Sequence, residues 1–295
     1  MSRKSLATTD KKQVDEEEEE DEKIQKVRLV CFNIHNGFAA EDDETCTLDQ
    51  TIAWLAKERP DVVCFQEVSW RFVSRARVEK AVRDKLGLSH FAYGFAAELY
   101  GTFFGQMTCS RFPIASHTNL ELVADPIEHE GRNALVTHLS LDGGADAHAS
   151  STPFFTVINT HLDAWDGTEK TRLAQVKQLV TLAAKLREGA PTIPIMLVGD
   201  FNAVRRQDYA TQKAFDESNR WQRALTYLMK HGDAQDVFDR LGKRAIKTRP
   251  YSSSRIDFAW LLPPHETIRV VDAAFATHVA TSDHYPIVTN LAITL

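Results

Sequence analysis

With 295 residues, 43% of them hydrophobic and 26% charged, the chain carries enough apolar material for a sizeable core, which excludes a wholly disordered or fibrous protein. No window approaches the about eighteen apolar residues of a membrane span, and Met1-Ser-Arg-Lys-Ser-Leu6 lacks the apolar core of a secretory signal, so an intracellular protein, cytoplasmic or nuclear, is expected. The formal charge of -6 owes much to one acidic block, Asp15 to Glu22, and does not exclude a polyanionic substrate reached through metal ions.

Residues 1–25 have almost nothing to bury and are expected to form a disordered acidic tail, solvated or engaging a basic partner. Val27 to Phe32 reads as the first strand, ending at Asn33 before an Ile34-His-Asn-Gly37 turn. Leu48, Ile52, Leu55 and Ala56 share one helical face over 48–59, and Pro60 stops that helix. The next strand, 61–66, delivers Glu67, and a helix over about 74–86 ends at Gly87. Strand-like pieces near 91–97, 103–109, 114–122 and 132–141 follow in quick succession, which argues for antiparallel hairpins. Phe154 to Thr160 delivers His161, and a helix over about 168–188 places Leu173, Val176, Val180 and Ala183 together. Pro194 to Asn202 is an apolar run that stops at Gly199 and delivers Asp200 and Asn202, which alternation sends to one side with Phe201 on the other. A weaker helix near 218–230 carries Trp221, Leu225 and Leu228, and the last two expected strands are 256–262 and 287–294.

Asn33, Glu67, His161 and Asp200 thus lie at carboxyl ends of strands, whereas Asp257, Asp283 and His284 lie at amino ends. Antiparallel neighbours would bring all seven to one rim, which a purely parallel sheet would not. Sheets of mixed direction packed face to face, covered by amphipathic helices, satisfy that requirement, and residues from 33 to 284 must then share one domain. Four carboxylates with two imidazoles and an amide, from Asn33 or Asn202, need a cation, and oxygen donors without cysteine point to Mg²⁺, with Mn²⁺ as the substitute. Cys31, Cys64 and Cys109 fall inside apolar runs and read as reduced core thiols.

Seven blocks occur in one order: Cys31-Phe-Asn-Ile-His35, Phe65-Gln-Glu67, Ser110-Arg-Phe-Pro-Ile114, Asn159-Thr-His-Leu162, Gly199-Asp-Phe-Asn202, Arg255-Ile-Asp257 and Ser282-Asp-His-Tyr-Pro286. Together they resemble the endonuclease/exonuclease/phosphatase superfamily over about residues 27–294, with Lys247 to Ser254 shorter and more polar than that pattern. The resemblance implies an α/β fold, a four-layer α/β/β/α sandwich with two mixed, largely antiparallel sheets, and a catalytic domain over 26–295. It also implies a Mg²⁺-dependent hydrolase that cleaves phosphoesters, foremost phosphodiesters, by direct attack of water, nuclease-like or acting on a small or lipid-derived phosphoester. Glu67 resembles the main metal ligand, with Asn33 and Asp283 beside the metal. Asp200 resembles the residue that orients or deprotonates water, Asn202 a phosphate or water contact, and His284 the catalytic histidine oriented by Asp257. His161 matches the second histidine of the deoxyribonuclease-like and sphingomyelinase-like branches, and Arg132 is a candidate phosphate contact.

Arg240, Lys243, Arg244, Lys247, Arg249 and Arg255 form a basic stretch without one acid, joined by Arg205 and Arg206; near the rim it would suit nucleic acid or a polyphosphorylated inositol, and otherwise it is a solvated face. Trp70 and Trp165 follow motif residues closely and either stack on a base or lipid headgroup or pack a loop. A non-catalytic binding module on the same fold, working through the acidic tail or the basic stretch, is the rival from another class.

Overall fold

The computed structural model describes residues 23–39, 45–69, 75–99, 101–124, 130–142, 152–217, 222–243, 247–250, 254–263 and 266–295. The acidic tail up to residue 22, Trp70, Trp221 and Arg244, each singled out in the sequence, fall outside them.

In chain order the elements are β1 (Ile24–Asn33), α1 (Leu48–Glu58), β2 (Val62–Ser69), α2 (Arg75–Leu86), β3 (His90–Leu99), β4 (Thr102–Ser110), β5 (Ile114–Leu122), β6 (Arg132–Ser140) and β7 (Pro153–His161). There follow α3 (Lys170–Gly189), β8 (Ile195–Asp200), α4 (Gln212–Glu217), α5 (Arg223–His231), β9 (Gln235–Asp236), α6 (Val237–Arg240), β10 (Asp257–Leu262), β11 (Ile268–Phe275) and β12 (Ile287–Thr294). Two six-stranded sheets result, ordered β11-β12-β1-β2-β4-β3 and β5-β6-β7-β8-β10-β9. Each holds one parallel pair, β1 with β2 and β7 with β8, among antiparallel neighbours. A parallel pair needs a crossover, and α1 and α3 supply the two.

The sheets pack face to face. Leu29, Cys31, Val62, Cys64, Leu291 and Ile293 of the first meet Phe155, Val157, Met196, Val198, Ala259 and Leu261 of the second. The outer face of the first sheet is covered by α1 and α2 through Ile52, Leu55, Val78 and Val82, and that of the second by α3 and α5 through Val176, Leu179, Ala183, Leu225 and Leu228. Helix, sheet, sheet, helix is the layer order expected, with the core between the sheets. Among the described residues no helix is long and apolar enough to cross a membrane.

Several local features depart from the sequence reading, beside the short additional elements α4, β9 and α6. β11 is an additional strand on the edge of the first sheet, and a register shift between Val270 and Asp272 breaks its apolar alternation, which hid it. The buried face of α3 is rotated to Thr171, Arg172, Gln175, Val176, Leu179 and Ala183, with Leu173 and Val180 only half-buried. Its first turn buries polar groups because they brace the loop before it: Arg172 donates to the carbonyls of Asp163 (3.0 Å) and Asp166 (2.7 Å), and Gln175 accepts from Asp163 N at 2.9 Å. β1 begins at Ile24, pairing with Thr294, so the ordered region reaches into the segment read as tail.

Candidate active site

Strand register builds the site. His161 aligns with Asp200 across the parallel pair β7–β8, and Asp200 aligns with Asp257 across the antiparallel pair β8–β10, so three strands present these residues in one row. Each continues a file of inward-facing core residues, Phe155, Val157 and Asn159 below His161 and Met196 and Val198 below Asp200. The polar residues therefore cap the inter-sheet core where it opens to solvent. Gly199 permits the alignment: its φ is +147°, and a Cβ there would lie 1.8 Å from the Thr160 carbonyl oxygen.

Asn33 ends the inward file of β1, and opposite the Asn33–Gln66 pairing β2 departs from regularity. Phe65 opposes Met107 and Val68 opposes Gly105, so Gln66 and Glu67 together face Gln106 in a bulge, and Glu67 takes a φ of 55°. Gln66 points into the core, so in a regular strand Glu67 would point out among the helices; the bulge turns its carboxylate into the cleft instead. Asn159 of the other sheet supports this break, donating to the carbonyls of Phe65 and Met107 at 3.1 Å each and accepting from Gln66 Nε2 at 2.7 Å. Glu67 is thus a residue within a strand and not, as read from sequence, one following it.

Asn33 Nδ2 donates to Glu67 Oε1 (2.9 Å) and to Asp200 Oδ2 (3.1 Å), while its Oδ1 accepts from His35 N at 3.0 Å. Asn36, in a left-handed turn after β1, donates to Glu67 Oε2 at 3.2 Å. Asn202 is not extended as alternation suggested: its φ is 46°, and its main-chain N donates to Asp200 Oδ1 at 2.9 Å in a tight turn. Its side-chain amide still reaches the site, donating to His161 Nε2 (3.0 Å) and the Leu162 carbonyl (3.1 Å), while Phe201 is buried against Phe258 and Trp260.

His284 lies at the centre. Its Nδ1 meets Asp257 Oδ2 at 2.8 Å, and its Nε2 lies 3.5 Å from Asp200 Oδ2 and 3.8 Å from Asp283 Oδ1. Burial opposes its charge, but Asp257 and Asp200 overcome that and push its pKa up to about 10, so it is an imidazolium at neutral pH. Asp200 is pushed up to about 7, by burial first and by Asp257 second, despite the opposing pull of His284. His161 is held well below its usual value by burial, then by Arg132 and His284, and stays neutral. Its Nε2 therefore accepts from Asn202.

Two further residues fasten the His284–Asp257 pair. The buried Thr248 hydroxyl accepts from Ile256 N (3.0 Å) and Asp257 N (3.2 Å), and the Thr248 carbonyl accepts from Tyr285 N at 2.7 Å. Ser282 donates to the Asn33 carbonyl at 2.7 Å and accepts from His284 N at 3.2 Å. Ser282 stands inside one of the seven sequence blocks, but nothing local marks Thr248 or Asn36, whose roles arise only from long-range contact.

All nine expected site residues come together at this rim. Glu67, Arg132, His161, Asp200, Asn202, Asp283 and His284 line one open cleft of about 840 Å³, and Asn33 and Asp257 bond to its lining. Arg132 is buried, with Nη2 2.5 Å from Glu130 Oε2 and with Nε and Nη1 lacking a hydrogen-bond partner. The basic stretch does not gather here. Arg255 is buried against Asp236 (2.5 Å), Arg205 is buried against Asp208 (2.7 Å) and Asp239 (2.6 Å), and Lys243 pairs with Asp272. Acids both near in sequence, as Asp208, and distant, as Asp236, Asp239 and Asp272, consume those charges, and among the described residues Arg249, paired with Asp283, is the member that lines the cleft.

The donor set fits a hard divalent cation. Both Glu67 oxygens accept from neutral amides, Asp283 Oδ1 is buried without a hydrogen-bond partner, and the four carboxyl groups outnumber the His284 imidazolium and the Arg249 guanidinium beside them. Asp200, Asp257 and His284 also bring ligand-type atoms within 4.8 Å of one another, but His284 Nδ1 is already hydrogen-bonded to Asp257 and its Nε2 lies in ion-pair range of Asp200, which makes that trio a charge-paired group.

Known proteins share this fold. No curated protein sequence matches the chain significantly. Among solved structures, an endonuclease/exonuclease/phosphatase from Beutenbergia cavernae superposes with a TM-score of 0.69 at 18% identity, covering 91% of this chain and 72% of that one. The human Nocturnin catalytic domain with bound sulfate gives 0.66 at 17% identity, covering 92% and 98%, and ANGEL2, a 2',3'-cyclic phosphatase, in complex with adenosine-2',3'-vanadate gives 0.66 at 15%, covering 93% and 99%. At these identities the likeness is one of fold alone. The family's sequence profile matches residues 30–284, and with the site in place the chain belongs to the Endonuclease/Exonuclease/phosphatase family, a family of phosphoester hydrolases that generally depend on a divalent metal.

Proposed function

We propose that the protein is a Mg²⁺-dependent phosphodiesterase, nuclease-like, in which water attacks phosphorus directly and no covalent enzyme intermediate forms. The observation that carries this reading is His284 held between Asp257 at 2.8 Å and Asp200 at 3.5 Å, in the cleft that Glu67 also lines. Asp200, with a pKa near neutrality and one oxygen fixed by Asn202 N, orients the water and takes its proton. The His284 imidazolium, aimed by Asp257, stabilises the charge that develops on the phosphoryl oxygens. Asn202, bonded to His161 Nε2 and the Leu162 carbonyl, holds the neutral His161 ring at the cleft, and Arg132 offers buried N–H groups to the phosphoryl oxygens. Glu67 and Asp283, with Asn33 holding the Glu67 carboxylate, would hold Mg²⁺ or Mn²⁺, which when bound supplies charge neutralisation at the phosphate.

A second reading, hydrolysis of a small or lipid-derived phosphoester, is supported by the pairing of Arg205, Lys243 and Arg255 with acids, which shortens the cationic track that duplex nucleic acid requires. Oligonucleotide, sphingomyelin and phosphoinositide, offered in parallel with Mg²⁺, with Mn²⁺ and with chelator, separate the two. Turnover is expected with metal and lost with chelator. Asp200→Asn and His284→Ala are each expected to lower kcat by about 10²–10⁴-fold with an unchanged circular-dichroism spectrum. A wild type inert toward every phosphoester with either metal returns the protein to the binding-module alternative.

A further inference from the structure

Trp165 is 65% exposed, the largest apolar side chain so open among the described residues, and it lines the catalytic cleft four residues beyond His161. A surface tryptophan is usually free to turn, but this one is fixed at both ends. Its main-chain N donates to Asp163 Oδ1 at 3.0 Å, and its indole Nε1 donates to Glu130 Oε2 at 2.8 Å. The same Glu130 oxygen accepts from Arg132 Nη2 at 2.5 Å, so the ring is referenced to the residue assigned to the phosphate. The loop beneath it is equally fixed, because Arg172 donates to two of its carbonyls and the Asp166 carboxylate accepts from Thr168 N (2.8 Å) and Thr171 N (2.6 Å).

With the indole N–H already engaged, only the flat face of the ring remains to offer. A face held still beside a phosphate site has a narrow use: ordering entropy has been spent before substrate arrives, and what the ring then supplies is stacking. We propose that Trp165 is a stacking platform for a nucleobase adjoining the scissile phosphate, which makes it a specificity-determining residue. The proposal rests on the phosphodiesterase reading and narrows it to substrates whose leaving or retained group is a nucleoside. A base gives sequence-tolerant affinity through its π-face, and its sugar-phosphate places the phosphorus next to Arg132 and His161.

The test uses the full-length protein with Mg²⁺ and compares a dinucleoside monophosphate bearing two adenines with the same backbone lacking its bases. Wild type is expected to prefer the adenine substrate in kcat/KM, Trp165→Ala to lose about tenfold or more of that preference through KM, and Trp165→Phe to restore most of it. An unchanged preference in Trp165→Ala overturns the proposal. A second measurement needs no turnover: adenosine monophosphate should quench tryptophan emission in wild type and much less in Trp165→Ala, with ribose 5-phosphate and phosphocholine ineffective. Equal quenching by phosphocholine would assign the face to a quaternary ammonium and overturn the nucleobase assignment. Wild type that cleaves no phosphodiester withdraws the parent reading alone, and the quenching titration still decides the platform.

Discussion

His284 and Asp200 both have raised pKa values, with opposite consequences for charge. Both are buried, yet the histidine stays charged because two carboxylates face it, and the aspartate takes a proton near neutrality because burial and Asp257 outweigh His284. A raised histidine pKa means the charged form persists to high pH, so the need for the imidazolium sets the alkaline limb, while the need for ionised Asp200 sets the acid limb. Removing the Asp257 charge lowers the pH at which His284 loses its proton. Asp257→Asn is therefore expected to move the alkaline limb of the kcat/KM profile to lower pH, as well as reducing its maximum; a limb that stays in place would detach His284 from the rate. The individual residues were legible in sequence because each ends or begins an apolar run. The tautomers and charges were not, since they depend on partners as far apart as Asp200 and His284.

At the scale of elements, two arrangements hold the catalytic ends of strands in place. Arg255 lies buried over Phe258 at 4.2 Å and against Asp236, which also caps α6 by accepting from Phe238 N at 2.8 Å. Deleting Asp236 leaves the buried Arg255 guanidinium, among the described residues, only Asp208, 3.7 Å from its Nη1, so Asp236→Ala is expected to cost about 3 kcal/mol in urea unfolding. Asn159 satisfies carbonyls left over by the Glu67 bulge, and Asn159→Leu leaves them unpaired at roughly 1–3 kcal/mol each. Because the same bulge aims Glu67, that variant should also require more Mg²⁺ for half-maximal activity; an unaltered metal requirement would show that the bulge stands without the clamp. Helices and strands with regular periodicity, such as α1 and β8, could be read directly from the chain. The bulge of β2 and the bulged edge strand β11 could not, because a bulge shifts the alternation on which such reading depends.

For the whole molecule, the carboxylates at one rim imply a coupling between metal and stability. An ion that binds the native state at a hundred times its Kd adds about 2.7 kcal/mol, on the order of 5 °C in Tm for a chain of this size. Mg²⁺ or Mn²⁺ is expected to raise the Tm of the wild type by that order and to do so much less for Glu67→Gln, whose metal-free Tm should not fall. An equal rise in both proteins would place the ion elsewhere. The sequence alone determined the regular strand files, such as those of β1, β7 and β8, the layer order and the residue types of the site, because alternation and strand ends are local properties of the chain. Only the tertiary structure decided that Glu67 sits in a bulge, that Asn36 and Thr248 join the site, and that Arg205 and Arg255 turn inward to acids instead of toward substrate. The reason is physical: a charge finds its partner by proximity in space, and residues separated by tens or hundreds of positions become neighbours only once two sheets have closed on each other.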